Sequence, residues 1–183
     1  METEPMFLKV IGSLATAVLL AFVAGFVLPS QIHVERSLLI SAPPTEIFPM
    51  VSDFNQWEAW SPWAKMDPNA EIAISGAGVG QTMEWHSEDP DVGNGTQEIM
   101  GLESPSYVST HLDFGDQGMA DATLKLTPQD DGTLVSWTLD SDMRAGVPTV
   151  MQPISTYFGF LMDSMIGKDY EQGLSNLKAL AES

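Results

Sequence analysis

Apolar and polar residues alternate most regularly in two stretches in the second half of the chain. In MADATLKLT (119–127), every second residue from Ala120 to Leu126 is apolar. The stretch TLVSWTLDSD (133–142) repeats this pattern, with Val135, Trp137 and Leu139 on one side. A period of two is typical of a β-strand with one covered face and one face open to water. The pattern therefore predicts two neighbouring strands of an antiparallel sheet.

Five further stretches have a β-rich composition and are separated by turn sequences. They are residues 32–40, 71–75, 81–87, 96–102 and 107–114. The sequences GAGVG, DPDVGNG, ESPS, GDQG and PQDDG stand between strands and have the glycine, proline and aspartate content of turns. Together with the two alternating stretches, they predict a sheet of about seven strands.

The C-terminal part of the chain has the period of a helix. Between residues 153 and 181, apolar residues recur at spacings of three and four. This spacing predicts one long amphipathic helix that covers one face of the sheet. Each interior glycine costs a helix roughly 1 kcal/mol relative to alanine, so their presence indicates close approach of the sheet or a bend. Three glycines lie inside the predicted helix: Gly159, Gly167 and Gly173.

Three tryptophans follow a short predicted helix near residue 50. Pro43 and Pro44 fit the first turn of that helix, where the missing N–H has no partner to lose. Trp57 and Trp60 are three residues apart and share one face of a second helical piece, and Trp63 follows. Because tryptophan buries a large area, the three indoles form either a dense corner of the core or the wall or lid of a hollow.

The N-terminus contains a long uncharged segment. Residues 10–28 (VIGSLATAVLLAFVAGFVL) carry no charge, and residues 6–8 extend the apolar run past Lys9. About 20 apolar residues suffice to span a bilayer. A cleaved signal peptide has a shorter apolar run, more positive charge before it and small residues after it. A cleaved signal and a buried helix remain alternatives, but we interpret residues 1–30 as a transmembrane anchor and 31–183 as the folded domain.

Net charge and cysteine content exclude several classes of function. The 183 residues include 25 Asp and Glu but only 7 Lys and Arg, which gives a formal net charge of −18. A surface this negative repels nucleic acid and anionic lipid headgroups, so we exclude nucleic-acid binding. The chain has no cysteine, which excludes disulfides, iron–sulfur clusters, thiolate zinc sites and cysteine nucleophiles.

Motifs of catalysis or metal binding are absent from the sequence. His33, His86 and His111 lie on three different predicted strands without a carboxylate at ligand spacing, and strand phase places His86 and His111 on the outer face. The loop GAGVG joins two strands and is followed by no lysine, so it is typical of a turn and not of a phosphate loop. No Gly-x-Ser-x-Gly elbow occurs. We therefore predict no catalytic residue, no metal and no cofactor.

The order of elements and two stretches of sequence resemble a known superfamily. APPTEIFPMVSDFNQWEAWSPWAKMDP (42–68) and FGFLMDSMIGKDYEQGLSNLKALAE (158–182) are similar to the SRPBCC (START-like) superfamily, of the polyketide cyclase/dehydrase and lipid-transport type. The resemblance is to bacterial members with an N-terminal hydrophobic anchor. It implies an α+β helix-grip fold, in which a curved antiparallel sheet of about seven strands surrounds the long C-terminal helix, with a cavity between them.

Orientation in the membrane is only weakly encoded. Lys9 is the sole positive charge before the apolar run, and the positive-inside bias then favours a cytoplasmic N-terminus. With the resemblance, this predicts a single-pass protein of the bacterial inner membrane whose folded domain is periplasmic.

A cavity between sheet and helix would be lined almost entirely by apolar side chains. Eleven methionines supply flexible side chains that adapt to irregular apolar ligands. The alternative is that these side chains fill the space themselves. The predicted lining consists of Met83, Trp85, Met100, Leu112, Phe114 and Trp137 from the sheet, Phe158, Leu161, Met162 and Met165 from the helix, and Trp57, Trp60 and Trp63 at one end.

Three functions follow from this interpretation. The first is a membrane-tethered binding module for an apolar small molecule such as a lipid, a quinone or a polyketide-like compound, without chemistry of its own. The alternative is a polyketide cyclase/dehydrase-type enzyme acting on a lipophilic substrate, for which His111, Asp113 or Asp163 would have to face inward. A third is a domain that binds a protein partner through its acidic surface.

Overall fold

Seven antiparallel strands form a single sheet in the order β1-β7-β6-β5-β4-β3-β2. The computed structural model describes residues 4–183, except for the side chains of Glu4, Pro5 and Asp116. Each strand from β2 to β7 is joined to the next by a turn, and β1 pairs with β7, so β1 and β2 are the two edges. The strands are β1 (Gln31–Ile40), β2 (Glu71–Ser75), β3 (Thr82–His86), β4 (Asn94–Glu103), β5 (Tyr107–Asp113), β6 (Met119–Gln129) and β7 (Gly132–Asp142).

Four α-helices and two short 3₁₀ segments complete the described part of the chain. The helices are α1 (Glu4–Ala24), α2 (Pro44–Val51), α3 (Trp63–Met66) and α4 (Gln152–Ala181), and the 3₁₀ segments are Phe54–Ala59 and Gly115–Gln117. The α+β helix-grip architecture predicted from the sequence is confirmed. The alternation predicted for β6 and β7 is confirmed as well, because Ala120 to Leu126 and Thr133 to Leu139 are buried at every second position.

The inner face of the sheet carries the core, and α4 crosses that face along the β1 edge. Val34 and Ile40 of β1 are fully buried, and Arg36 lies between them on the same face. The Arg36 guanidinium ion-pairs with Asp163 at 2.9 Å and with Glu171 at 2.7 Å, both on α4. It occupies the place of a side chain at Gly167, since a Cβ built there would lie 2.0 Å from an Arg36 nitrogen. The glycine in the helix thus permits the close approach that the sequence indicated.

Helix α1 extends away from the domain. It contains one segment, Met6–Ala24, that is long and apolar enough to cross a membrane, and none of that segment is buried in the protein. Only its C-terminal end contacts the domain. There the Tyr157 hydroxyl donates to the Ala21 carbonyl at 2.7 Å, and Arg144 donates to the carbonyls of Gly25 and Leu28. The chain therefore has a candidate anchor joined at its end to the start of α4.

Candidate functional site: an apolar groove beside the C-terminal helix

One end of the space between sheet and helix is filled by an aromatic cluster. Trp57, Trp60 and Trp137 are 3%, 0% and 2% exposed, and Trp63 contacts Trp137 edge to face. The Trp137 indole stacks on the Tyr170 ring of α4 at 3.9 Å with the planes 9° apart, and burial raises the pKa of the Tyr170 hydroxyl. Of the two interpretations of the tryptophans, the dense corner of the core describes this end.

Backbone carbonyls fix the two indoles next to α2. The Trp57 Nε1–H donates to the Val51 carbonyl at 3.1 Å, and the Trp60 Nε1–H donates to the Met50 carbonyl at 2.9 Å. Both acceptors lie at the C-terminal end of α2, where helix carbonyls lack partners within the helix. The cluster is therefore rigidly held, and it closes one end of the space as a solid wall.

The N-terminal half of α4 leaves apolar side chains uncovered. Phe158 and Met165 are 48% and 51% exposed, and Met162 is partly buried. Spacings of four, three and four place Phe158, Met162, Met165 and Asp169 on one flank of the helix. We call this row the groove flank of α4.

Asp169 shows which part of the sheet the groove flank faces. Its pKa is raised, first because the carboxyl is partly buried and second because Asp91 is close enough to repel its charge. Asp91 belongs to the turn between β3 and β4, which follows the half-buried Trp85. The Asp169 end of the groove flank therefore lies near the turn between β3 and β4.

The sheet side of the groove has partly buried side chains of β3 and, directly after β5, Phe114. The Trp85 and Phe114 rings meet edge to face with their centres 5.9 Å apart, and Met83 and Phe114 pack against the core. The Trp85 ring lies over Gly95, where a Cβ would be 2.6 Å from it, and the indole N–H donates to the Val92 carbonyl at 3.3 Å. Glycine in β4 thus lets the indole lie flat along the wall.

Two buried polar side chains lie on the inner face between these walls and satisfy each other. The Gln97 amide donates to the Thr110 hydroxyl at 2.8 Å, and both residues are 4% exposed. Gln97 is flanked across the sheet by Met83 and Leu112. An amide whose hydrogen bond is already made costs little to cover with an apolar ligand, and its remaining donor could fix a ligand's orientation.

Two predicted lining residues lie apart from the groove. Met100 is the unpaired residue of a β-bulge between Ile99 and Gly101 and is 56% exposed. Leu161 is 53% exposed and lies about 100° around α4 from Met162, further from the sheet. Met83, Trp85, Leu112 and Phe114 share the inner face of the sheet, and Phe158, Met162 and Met165 share one flank of α4. Their role as ligand contacts stays a prediction.

Two concavities among the described residues lie away from the groove. One is a shallow surface of α1 around Leu14, and the other is polar and lies between Asp67 and His86. On the helix side of the groove, Phe158 and Met165 are open to solvent. No group of three His, Asp or Glu residues within the described range is placed to hold a metal ion.

The side chains considered for acid–base chemistry face away from the groove. His111 contacts Asp121 of the neighbouring strand at 2.7 Å on the outer face of the sheet. Asp113 accepts a hydrogen bond from the backbone N–H of Gly115 at 2.8 Å. Asp163 is ion-paired with Arg36, whose hydrogen bond lowers the pKa of that carboxyl.

Two features were not predicted from the sequence: the partly buried carboxyl of Asp169 and the hydrogen bond between His33 and Asp140. Asp169 is the partly buried carboxyl on the groove flank, and the signal for it was its spacing of four and seven from Met165 and Met162. His33 lies 2.7 Å from Asp140 of β7, and this hydrogen bond raises the pKa of the imidazole above 6.5. That partner depends on the register of β1 on β7, which sequence spacing does not contain.

Comparison with known proteins agrees with this architecture. Residues 31–182 match the family described as Polyketide cyclase / dehydrase and lipid transport. The chain belongs to this family. No curated protein matches the chain in sequence.

Several solved structures share the fold of this family member. A protein from Chromobacterium violaceum is 20% identical with a TM-score of 0.55, over 83% of this chain and 99% of that one. The di-domain ARO/CYC StfQ from the steffimycin biosynthetic pathway is 13% identical with a TM-score of 0.62, over 83% of this chain and 51% of StfQ. DynU16, from the dynemicin biosynthetic locus, is 14% identical with a TM-score of 0.56, over 82% of this chain and 47% of DynU16. At these identities the likeness establishes the fold alone.

Proposed function

We propose that the protein is a membrane-tethered binding module that holds an apolar small molecule, of the lipid, quinone or polyketide-like class, in the groove beside α4. The family description and the biosynthetic setting of StfQ and DynU16 support a ligand of this general kind. The candidate span in α1 supports the tether. A periplasmic location of the domain at the bacterial inner membrane is part of the same proposal.

One observation carries this proposal: apolar side chains are exposed on the groove flank of α4 and incompletely buried on the inner face of the sheet. Phe158 and Met165 are about half exposed on α4, and Trp85 and Phe114 are incompletely buried on the sheet. Covering apolar surface gains about 25 cal/mol per Å², so an apolar ligand that fills the groove is stabilised by both sides. Concave sites of this composition are typical of small-molecule binding.

A test uses the full chain purified in a mild detergent and native mass spectrometry. We expect the protein to carry a non-covalent apolar adduct, which solvent extraction then identifies. Met162→Trp places a large ring in the groove and should remove the adduct. The matched control is Ser175→Trp, an exposed position on the same helix outside the groove, which should retain it.

Two results would contradict the binding function. One is the same adduct on both variants, because lipid bound around α1 and not in the groove would give that pattern. The other is an unoccupied wild-type protein that also takes up no ubiquinone or phosphatidylcholine when either is added. Thermal unfolding of each variant in the same detergent shows whether the substitution has left the fold intact.

Asp169 favours a second candidate, a cyclase- or dehydrase-type enzyme. A carboxyl whose pKa is raised by burial, on an apolar helix flank, is a candidate proton donor or acceptor. If this is the function, a lipophilic β-hydroxy ketone should lose its hydroxyl group and an α-proton as water, forming the enone, in the presence of the protein. Asp169→Asn should abolish that loss while leaving the adduct in place, whereas a binding module shows no turnover with either protein.

A further inference from the structure

The second-longest uncharged run of the chain lies at the start of α4. Residues 145–162 (AGVPTVMQPISTYFGFLM) contain no charged side chain. The folded part from Gln31 onward has 23 acidic and 6 basic residues, hence a net charge of −17. A stretch of 18 residues without charge is therefore a distinct region of an otherwise acidic surface.

Five apolar side chains of this run are exposed and lie outside the groove flank. Ile154, Tyr157 and Leu161, spaced by three and four, are 55%, 39% and 53% exposed. Phe160 beside them is 61% exposed, and Val150 in the preceding turn is 66% exposed. We call these five residues the outer stripe. A contiguous exposed apolar patch on an acidic domain is typical of an interaction surface.

The end of α1 is fixed beside the outer stripe. The Tyr157 hydroxyl donates to the Ala21 carbonyl at 2.7 Å, and Gly25 packs so closely on Pro153 that a Cβ there would lie 2.6 Å from the proline Cβ. Arg144 donates to the Gly25 carbonyl at 2.8 Å and to the Leu28 carbonyl at 2.6 Å. The guanidinium also donates to the Thr156 hydroxyl at 3.0 Å, which joins α4 to the same contact.

The length of the candidate span sets the depth of these contacts. Met6–Ala24 comprises 19 residues, which at about 1.5 Å per residue gives roughly 28 Å, close to the hydrocarbon thickness of about 30 Å. Ala21 then lies in the last turn of the membrane-crossing helix. Tyr157, hydrogen-bonded to it, would then lie at the boundary between hydrocarbon and headgroups, where tyrosine is favoured.

We propose that the outer stripe lies in the headgroup region of the bilayer that α1 crosses, so that the N-terminal half of α4 rests on the membrane. This inference relies on the tether in the proposed function but not on the ligand. The stripe contributes apolar area and no acidic group, so it can approach lipid that the rest of the domain repels. The groove flank on the same half of α4 would then open beside the lipid surface.

The absence of cysteine allows a test with single labels in the full chain. The positions are Ile154→Cys and Phe160→Cys in the outer stripe, Leu14→Cys within α1, and Lys125→Cys on the exposed outer face of β6. Each variant carries an environment-sensitive fluorophore and is placed, one copy per disc, in phosphatidylcholine nanodiscs with and without doxyl-labelled lipid.

We expect doxyl lipid to quench the labels at 154, 160 and 14 and to leave the label at 125 unchanged. Aqueous iodide should quench the labels at 154 and 160 several-fold less than the label at 125. If the label at position 14 is quenched while the labels at 154 and 160 behave like the label at 125, the outer stripe does not touch lipid. This inference is then wrong, although the tether stands. If 14 is not quenched by lipid, the tether itself fails. Protection of 154 and 160 only in discs with two copies would make the stripe a contact between chains and overturn the inference.

Discussion

The two halves of α4 have similar apolar content but opposite surroundings. In the C-terminal half, Tyr170, Leu174 and Leu177 are 2%, 1% and 0% exposed against the sheet and the aromatic cluster. In the N-terminal half, Phe158, Leu161 and Met165 are 48%, 53% and 51% exposed. One continuous helix therefore stabilises the fold with one half and presents uncovered apolar surface with the other.

The comparison separates residues that hold the structure from residues available for binding. The covering elements explain the difference: the 3₁₀ segment Phe54–Ala59 and α3 pack over the C-terminal half, where Asn176 donates to the Trp60 carbonyl at 3.0 Å. The N-terminal half contacts the end of α1 and Arg36, and these leave two flanks of the helix open. Exposed apolar area retained next to a well-packed core indicates a partner outside the domain.

The largest expected difference between the halves is in leucine truncation. Leu177→Ala should lower the free energy of unfolding by about 2–5 kcal/mol, because it opens a cavity in a closed core. Leu161→Ala removes an exposed side chain and should change it by less than about 0.5 kcal/mol. Thermal and urea unfolding of the full chain in detergent measure both. Equal losses in the two variants would show that the halves are packed alike.

Glycine substitution gives a second, smaller contrast. Gly173→Ala places a Cβ 2.8 Å from the rigid Trp137 ring, and overpacking of this kind costs about 1–3 kcal/mol. At Gly159 the nearest atoms are Cγ of Met143 at 2.9 Å and Cγ2 of Ile32 at 3.1 Å, and both belong to aliphatic side chains that are less constrained than an indole ring. Gly159→Ala should therefore be neutral or stabilising by up to about 1 kcal/mol through helix propensity. Unfolding of both variants by urea tests the pair, and a stabilised Gly173→Ala would refute the close packing.

The smallest contrast concerns two aspartates on either side of the helix midpoint. Because burial and Asp91 raise the pKa of Asp169, its protonated form stabilises the fold at low pH, and that contribution is lost as the pH rises through the raised value. Asp169→Asn should thus be more stable than wild type at pH 7, by less than about 1 kcal/mol because solvent screens the partly exposed group. The difference should vanish below the usual pKa of 3.8.

Asp163 is the control, because the pKa of its carboxyl is shifted in the opposite direction. Its pKa is lowered by Arg36, so its ionised form stabilises the fold above the usual pKa, and the contribution is lost as the pH falls through the lowered value. Asp163→Asn should therefore be less stable than wild type at neutral pH. The melting temperature of each variant is measured across the pH range, and a shift of the same sign in both would refute the assignment of partners.

Much of the fold could be predicted from local sequence, because its signals are local. Alternation defines β6 and β7, Pro44 at the first position marks the start of α2, and apolar spacing gives α4 to within one residue at its start. The bulge at Met100 escaped detection because one inserted residue in an otherwise regular strand changes the phase without changing the composition. Arg36 on the inner face was equally hidden, since its partners on α4 lie 127 and 135 residues away.

The candidate site was predictable only as a set of residue types. The stretch with Met162 and Met165 and the position of Trp85 indicated apolar walls, but the sequence does not say which side chains are covered by others. Trp57, Trp60 and Trp137 became core because the 3₁₀ segment folds back onto β7. The pKa of Asp169 is raised by burial and by the charge of Asp91, which lies 78 residues earlier in the chain. Such effects depend on tertiary contacts, and no short window of sequence contains them.

The contacts of Arg144 also have a mechanical consequence. Only residues 25–30 connect α1 to β1, and two of their carbonyls, those of Gly25 and Leu28, are hydrogen-bonded to one guanidinium. A linker held in this way is stiff, so the folded domain reorients together with the axis of α1. In a membrane, the domain would stay at a constant height and angle above the bilayer. It would meet molecules that diffuse in the plane of the membrane, and it could not reach those well above the surface.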